Sequence, residues 1–340
     1  MLRERLRSLG VAQDAVAAVW PKWWSDAAES SSSARVELYF TVARGLGIDA
    51  RSLIEQEQQP RFIWRDTARF KHGTGEGALE LAGITSFGRS VASLLLRAMT
   101  ESPHTIVGRS AGELRQAVLR ERAPWVDLMD LIALSWSASV PVVHLRVFPW
   151  PRKRMAAMTT GLGDKWAVLL AKDASFPPHL AFYLAHELGH IALGHVASGA
   201  QIVDFDASEG PIAEVEGEQA DNEELEADAF ALELLTGHPE PVVLPLDPAR
   251  VSASELARTA SVVGQQRRID PGTVALVYGH STGDWQAANG AIRRLYQRPL
   301  PVWRAINGVA RRELDMACLS SDSADFLDAV LGTEAATKPR

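Results

Sequence analysis

The sequence predicts an α+β protein: a small antiparallel sheet and two motif-bearing helices at the centre, with a helical region on either side. Three observations lead there. The apolar runs "VPVVHLRVF", "RMAAMTTG" and "KWAVLLAK" sit close together in residues 140–172, and the last two are joined by the turn "GLGD". Helical periodicity dominates before and after them. Two amphipathic segments follow the strands, one built around "HELGH" and one around "EELEADAF".

The elements follow in chain order. Residues 1–60 form a helical N-terminal module. Apolar residues recur at helical spacing in "VAQDAVAAVW", Pro21 interrupts, and the serines at 30–33 precede "ARVELYFTVARGLG". Gly45 and Gly47 are the stops, and Asp49 caps a short helix through Leu53 and Ile54. Residues 61–123 form a helical connecting region with little pattern before Ser110. There "SAGE", Ser110 to Glu113, is a capping box that opens a helix ending near Pro124. The central domain spans 124–285. It holds the helix "WVDLMDLIALSWSAS", the three strands, the motif helix "LAFYLAHELGHIALGH", an acidic loop, and the helix "NEELEADAFALELL", which Gly237 and Pro239 stop. "PEPVVLPLDP" is a linker in which proline forbids helix, and "SASE", Ser252 to Glu255, opens the next one. Residues 286–340 form a helical C-terminal region with a frayed tail, "GTEAATKPR".

Composition narrows the function classes. The 340 residues, 46% of them hydrophobic, suffice for a large core and two or three domains. No apolar run approaches the ~18 residues that cross a bilayer, so no membrane partner is expected. The start "MLRERLRSLGVAQDAVAAVW" is charged from its third residue and does not read as a secretory signal. The single cysteine, Cys318, fits a reducing compartment, and the expected location is cytoplasmic.

Charge is unevenly placed. Between Asp173 and Ala249 there are sixteen Asp and Glu and no Lys or Arg; with a net charge of −7, the rest of the chain carries −7 − (−16) = +9. Two readings stand: a solvated acidic face answered by the ten arginines of Arg250–Arg312, or an acidic cleft that steers a basic protein partner.

In the motif helix, His186 and His190 are four apart. At 100° per residue they lie within about 40° of each other, so both imidazoles can reach one ion. Glu187 sits beside them, placed to act on water without being a ligand, which is the geometry of HExxH hydrolases. A buried helix with stray histidines fits the five residues alone. The downstream helix weighs against that: Glu224 can complete the coordination, while Asp228, four further on, can receive the outer N–H of a ligand histidine. His195 is out of register for the metzincin pattern, which needs Gly at 193 and His at 196, where this chain has Leu193 and Val196.

Together "HELGH" at 186–190 and "ELEADAFA" at 224–231 resemble the ImmA/IrrE family of zinc metallopeptidases, a gluzincin-like group. "LMDLIALSWSASVPVVHL" and "RRIDPGTVALVYGH" are similar to the segments flanking those motifs in that family, so the resemblance covers roughly residues 125–285. It implies a zincin-like metallopeptidase core and one Zn2+ held by His186, His190 and Glu224, with Glu226 as the alternative third ligand. The carboxylates of Glu224 and Glu226 point about 200° apart, so only one can face the metal. Asp228 supports a ligand histidine and Glu187 is the general base. Candidate oxyanion donors are Tyr183, His195, Tyr278 and His280; His280 is preferred because it follows the family-like "IDPGTVALVYG". The implied activity is an endopeptidase that cuts a basic helix-turn-helix repressor and so derepresses a stress or mobile-element response. The chain departs from the family in "LLTGHPEP", which delays the proline after the second helix, in its long acidic loop, and in about a hundred N-terminal residues without a counterpart.

A second class competes: a transcriptional regulator or partner-binding scaffold that keeps a zincin fold without essential proteolysis. "VARGLGIDARSLIEQ" resembles the last two helices of XRE-type DNA-binding domains, yet "WPKWWSDAAESSSS" stands where a recognition helix would be. Residues 1–72 carry eleven Lys and Arg against nine acids, so direct nucleic-acid binding is not expected and a docking module fits better. The intact Glu187 argues against the scaffold, which needs no base. A general peptidase is disfavoured by the long extra N-terminal region.

Overall fold

The computed structural model describes residues 2–55, 59–64, 68–70, 78–120, 123–152, 155–205, 218–246 and 251–332. The middle of the acidic loop and the tail from residue 333 lie outside them.

The N-terminal module is helical as its periodicity predicts: α1 (Leu2–Ser8), α2 (Gln13–Val19), α3 (Asp26–Glu29), α4 (Ser32–Leu46) and α5 (Ala50–Ile54). Gly47 ends α4 in the left-handed conformation, φ 66°, and the Asp49 side chain accepts the Arg51 N–H to cap α5. Next comes α6 (Ala78–Ala98), a 21-residue helix that the sequence pattern leaves unassigned. Among the described residues it is the one helix with the length and apolar composition of a membrane span. Its buried residues, from Ala82 to Ala98, pack inside the protein, Phe87 edge-on to Phe326 with ring centroids 5.9 Å apart.

The capping box at Ser110 forms: Glu113 N–H donates to Ser110 Oγ at 3.3 Å, and Ser110 N–H donates to Glu113 at 3.0 Å. The helix it opens, α7 (Ala111–Arg120), ends four residues before Pro124. The next, α8 (Leu128–Ser137), starts three residues after the expected Trp125, because Asp127 and Asp130 build a second capping box there.

The expectation of a three-stranded antiparallel sheet ahead of the motif helix is corrected in two respects. The sheet has five strands in the order β1–β5–β3–β4–β2, and it is mixed. The hairpin is as expected: β3 (Met155–Leu162) and β4 (Lys165–Leu170) pair antiparallel about the two-residue turn Gly163–Asp164. β2 (Val142–His144) instead runs parallel to β4, because β3 makes the return pass between them in sequence and lies on β4's other side. Two strands were not foreseen: β1 (Ala68–Phe70) and β5 (Gln201–Phe205), which follows the motif helix, lies antiparallel to β3 and pairs parallel with β1. The β2 edge is closed by Asn307, whose side chain accepts the His144 N–H at 2.7 Å and donates to its carbonyl at 2.8 Å, as a neighbouring strand would.

Successive strand residues point to opposite faces. Met158 of β3 reaches Gly88 of α6, whereas the next residue, Thr159, donates its hydroxyl to Glu187 of α9 (Pro177–Leu193). The two helices therefore sandwich the sheet. Across α9 lies α10 (Glu218–Thr236), ended at Gly237 as expected. The C-terminal helices are α11 (Ala253–Arg267), capped by Ser252, α12 (Pro271–Thr282), α13 (Trp285–Tyr296), α14 (Val302–Glu313) and α15 (Ser321–Leu331). One hydrophobic cluster runs from Leu2 to Leu331, so the N-terminal helices and α15 share a core with the sheet; a second gathers residues of α11, α12 and α13.

Candidate metal centre

The two motif helices meet where α9 lacks a side chain. A Cβ on Gly189 would lie 3.2 Å from Phe230 Cβ and 3.3 Å from Ala227 Cα, tighter than ordinary packing, so glycine here eases the close approach of α9 and α10. With Ala227 against Gly189, Glu224 lies one turn earlier on α10 and Asp228 one residue later, and both reach the α9 histidines.

His186 Nδ1 is 2.8 Å from Asp228 Oδ1. In the neutral ring Nδ1–H donates to the carboxylate there, and Nε2 is the acceptor nitrogen. His190 is fixed by a longer relay. His195 Nε2 donates to Glu226 at 3.0 Å, so in the neutral rings His195 Nδ1 accepts from His190 Nδ1, also at 3.0 Å, and Nε2 is the acceptor nitrogen of His190 as well. The two Nε2 atoms lie 3.0 Å apart. Glu224 stands 3.3 Å from the first and 3.5 Å from the second, and Asp204 Oδ2 is 3.4 Å from His186 Nε2.

Lone pairs from His186, His190, Asp204 and Glu224 thus converge within 4.8 Å of one another. Brought together alone they repel; around a cation they are its ligands. At bond lengths of 2.0–2.2 Å, the edge of a tetrahedral site is about 3.3–3.6 Å; the carboxylate–histidine separations of 3.3, 3.4 and 3.5 Å match it, and the 3.0 Å between the two Nε2 atoms is shorter. The residues present fit a metal ion.

Glu187, fully buried, sits among them. Thr159 donates to its Oε2, while Oε1 has no hydrogen-bond donor. Burial pushes this carboxyl well above the usual carboxylate range and the charge of Asp204 adds to the push; His186 and the Thr159 hydroxyl oppose it.

His186, His190, Glu224 and Asp228 come together with Glu187 beside them. Glu226, the alternative ligand, has a side chain 63% exposed and bonds His195 instead of joining the lone-pair cluster. Of the oxyanion candidates, His195 touches the cluster from behind, through His190. Tyr183 packs against Lys172, Tyr278 is buried among the C-terminal helices, and the exposed His280 ring lies between Phe182 and Trp285. Sequence reasoning missed Asp204 and Thr159. The alternation in "QIVDF" was a usable signal for Asp204, since it puts Ile202 and Asp204 on one face of a strand.

No family model, no curated protein and no solved structure matches the chain.

Proposed function

We propose that the protein is a zinc-dependent endopeptidase with a zincin-like core, of the kind its two motifs resemble. The observation that carries this reading is the convergence of His186, His190 and Glu224 beside a buried carboxylate, Glu187, that holds no ligand position. Zinc, when bound, supplies Lewis-acid polarisation of a peptide carbonyl and acidifies water. The protein's own residues do the rest. Asp228 and the His195–Glu226 pair hold the two imidazoles in the tautomers that present Nε2. Thr159 pins Oε2 of Glu187, so its Oε1 is the oxygen that takes a proton from the attacking water. Having accepted that proton, the carboxyl in its acid form delivers it to the leaving amine.

The substrate proposed is a basic helix-turn-helix repressor. The resemblance supports it, as does the acidic block around the motif; residues 206–217 of that block lie outside the described residues. The test is metal analysis of the purified protein. One zinc per chain is expected, lost in His186→Ala and His190→Ala. A wild-type protein that stays metal-free after refolding with zinc contradicts the reading.

A further inference from the structure

We propose that Asp204 is a fourth protein ligand that closes the metal centre, so that the protein as folded is a latched enzyme. This rests on the metallopeptidase reading above. A catalytic zinc keeps one position for water, whereas a site with four protein donors is of the closed, structural type. Glu224, His186 and His190 account for three donors, and Asp204 supplies the fourth.

Three independent features place it there. The first is spacing: Oδ2 of Asp204 stands 3.4 Å from His186 Nε2, a tetrahedral edge. His186 cannot donate a hydrogen bond across that gap as a neutral ring, because its one proton lies on Nδ1 toward Asp228. The second is aim. Asp204 pairs with Ala157 of β3 beside a register shift between Met155 and Ala157, and strand alternation puts it on the face that Thr159 presents to α9. Bulges of this kind re-aim side chains at functional sites. The third is burial: Asp204 is 4% exposed, His186 2% and His190 0%. A carboxylate so deep is favoured by nearby positive charge, and a cation among these four groups would supply it.

The consequence is a condition on activity. Water and a peptide carbonyl reach the fourth position only when Asp204 withdraws, so the register of β5 against β3 sets whether the enzyme is on. A partner or substrate that pulls the end of β5 away from β3 activates it.

The test uses the full chain loaded with Co2+, whose visible spectrum reports coordination, and azide as a small anion that needs a free position. Parent, Asp204→Ala and Asp204→Asn are titrated. The expected result is a parent spectrum that azide leaves unchanged and an Asp204→Ala spectrum that shifts saturably. The Asn variant, isosteric and a weaker ligand, should show the same shift at higher azide. A cobalt-loaded parent whose spectrum shifts with azide as readily as the variants' has an open site; that overturns the latch and leaves the peptidase reading standing. A parent that takes up no cobalt overturns both.

Discussion

His190 and His195 face each other through their Nδ1 atoms at 3.0 Å, and His195 hands the contact on to Glu226. The relay fixes which nitrogen of His190 faces the metal centre. His195→Ala should therefore weaken metal binding by about 10–100-fold, the usual cost of removing a group that orients a ligand. Glu226→Ala should cost less, because water can replace an exposed carboxylate, whereas Glu224→Ala should abolish retention. Competition with a chelator ranks the three. If Glu226→Ala releases the metal as completely as Glu224→Ala does, Glu226 is the third ligand.

The close approach at Gly189 gives a structural counterpart. Gly189→Leu forces a side chain into the contact with Ala227 and Phe230, and overpacking of this kind costs about 1–3 kcal/mol. Because the same contact brings Glu224 opposite the histidines, the variant should lose metal affinity together with stability. Thermal unfolding with and without zinc measures both. A variant that is destabilised yet binds zinc like the parent shows that the ligands do not depend on this contact.

How much of this the sequence carried depends on how local each feature is. The HELGH face and the Glu224–Asp228 pair were legible because helical geometry alone puts residues four apart on one side. Asp204 was not, since its place depends on the pairing of β5 with β3, a strand some forty residues earlier in the chain. The parallel pairing of β2 with β4 escaped for the same reason; adjacent strands suggest hairpins, and only the position of β3 in the sheet rules one out here. α6 gave no clear amphipathic signal because "ALELAGITSFGRSVASLLLRA" is apolar or small nearly all round, as befits a helix buried against the sheet.

A pH effect on stability should trace to Asp270, the cap of α12. Tyr296 donates to it at 2.7 and 2.8 Å and Thr273 N–H at 3.0 Å, yet burial pushes its carboxyl above the usual range. The folded protein then keeps this proton at a pH where the unfolded chain, near 3.9, has lost it. The resulting stabilisation is complete below that ordinary value and is lost as pH rises through the folded-state titration. Urea unfolding across about pH 4 to 7 should show Asp270→Asn lacking this part of the parent's decline. Parallel curves for the two proteins refute the assignment. Tyr296→Phe should cost about 1–3 kcal/mol, the penalty for leaving a buried acceptor short of a donor.

If Glu187 acts on a proton while the surrounding groups hold a metal, Glu187→Gln should separate the two roles. The substitution keeps the shape and the Thr159 contact and leaves His186, His190, Glu224 and Asp204 in place. The variant should fold and retain zinc like the parent, and on mixing with host-cell extract it should hold a basic helix-turn-helix protein that the parent cleaves. Turnover of that captured protein, compared between parent and variant, is the decisive measurement. The expected fall is about 10²–10⁴-fold, the scale of a lost acid–base group. A Gln variant that matches the parent in cleavage, or that restores the cellular function in full, contradicts it and makes the protein a binding scaffold.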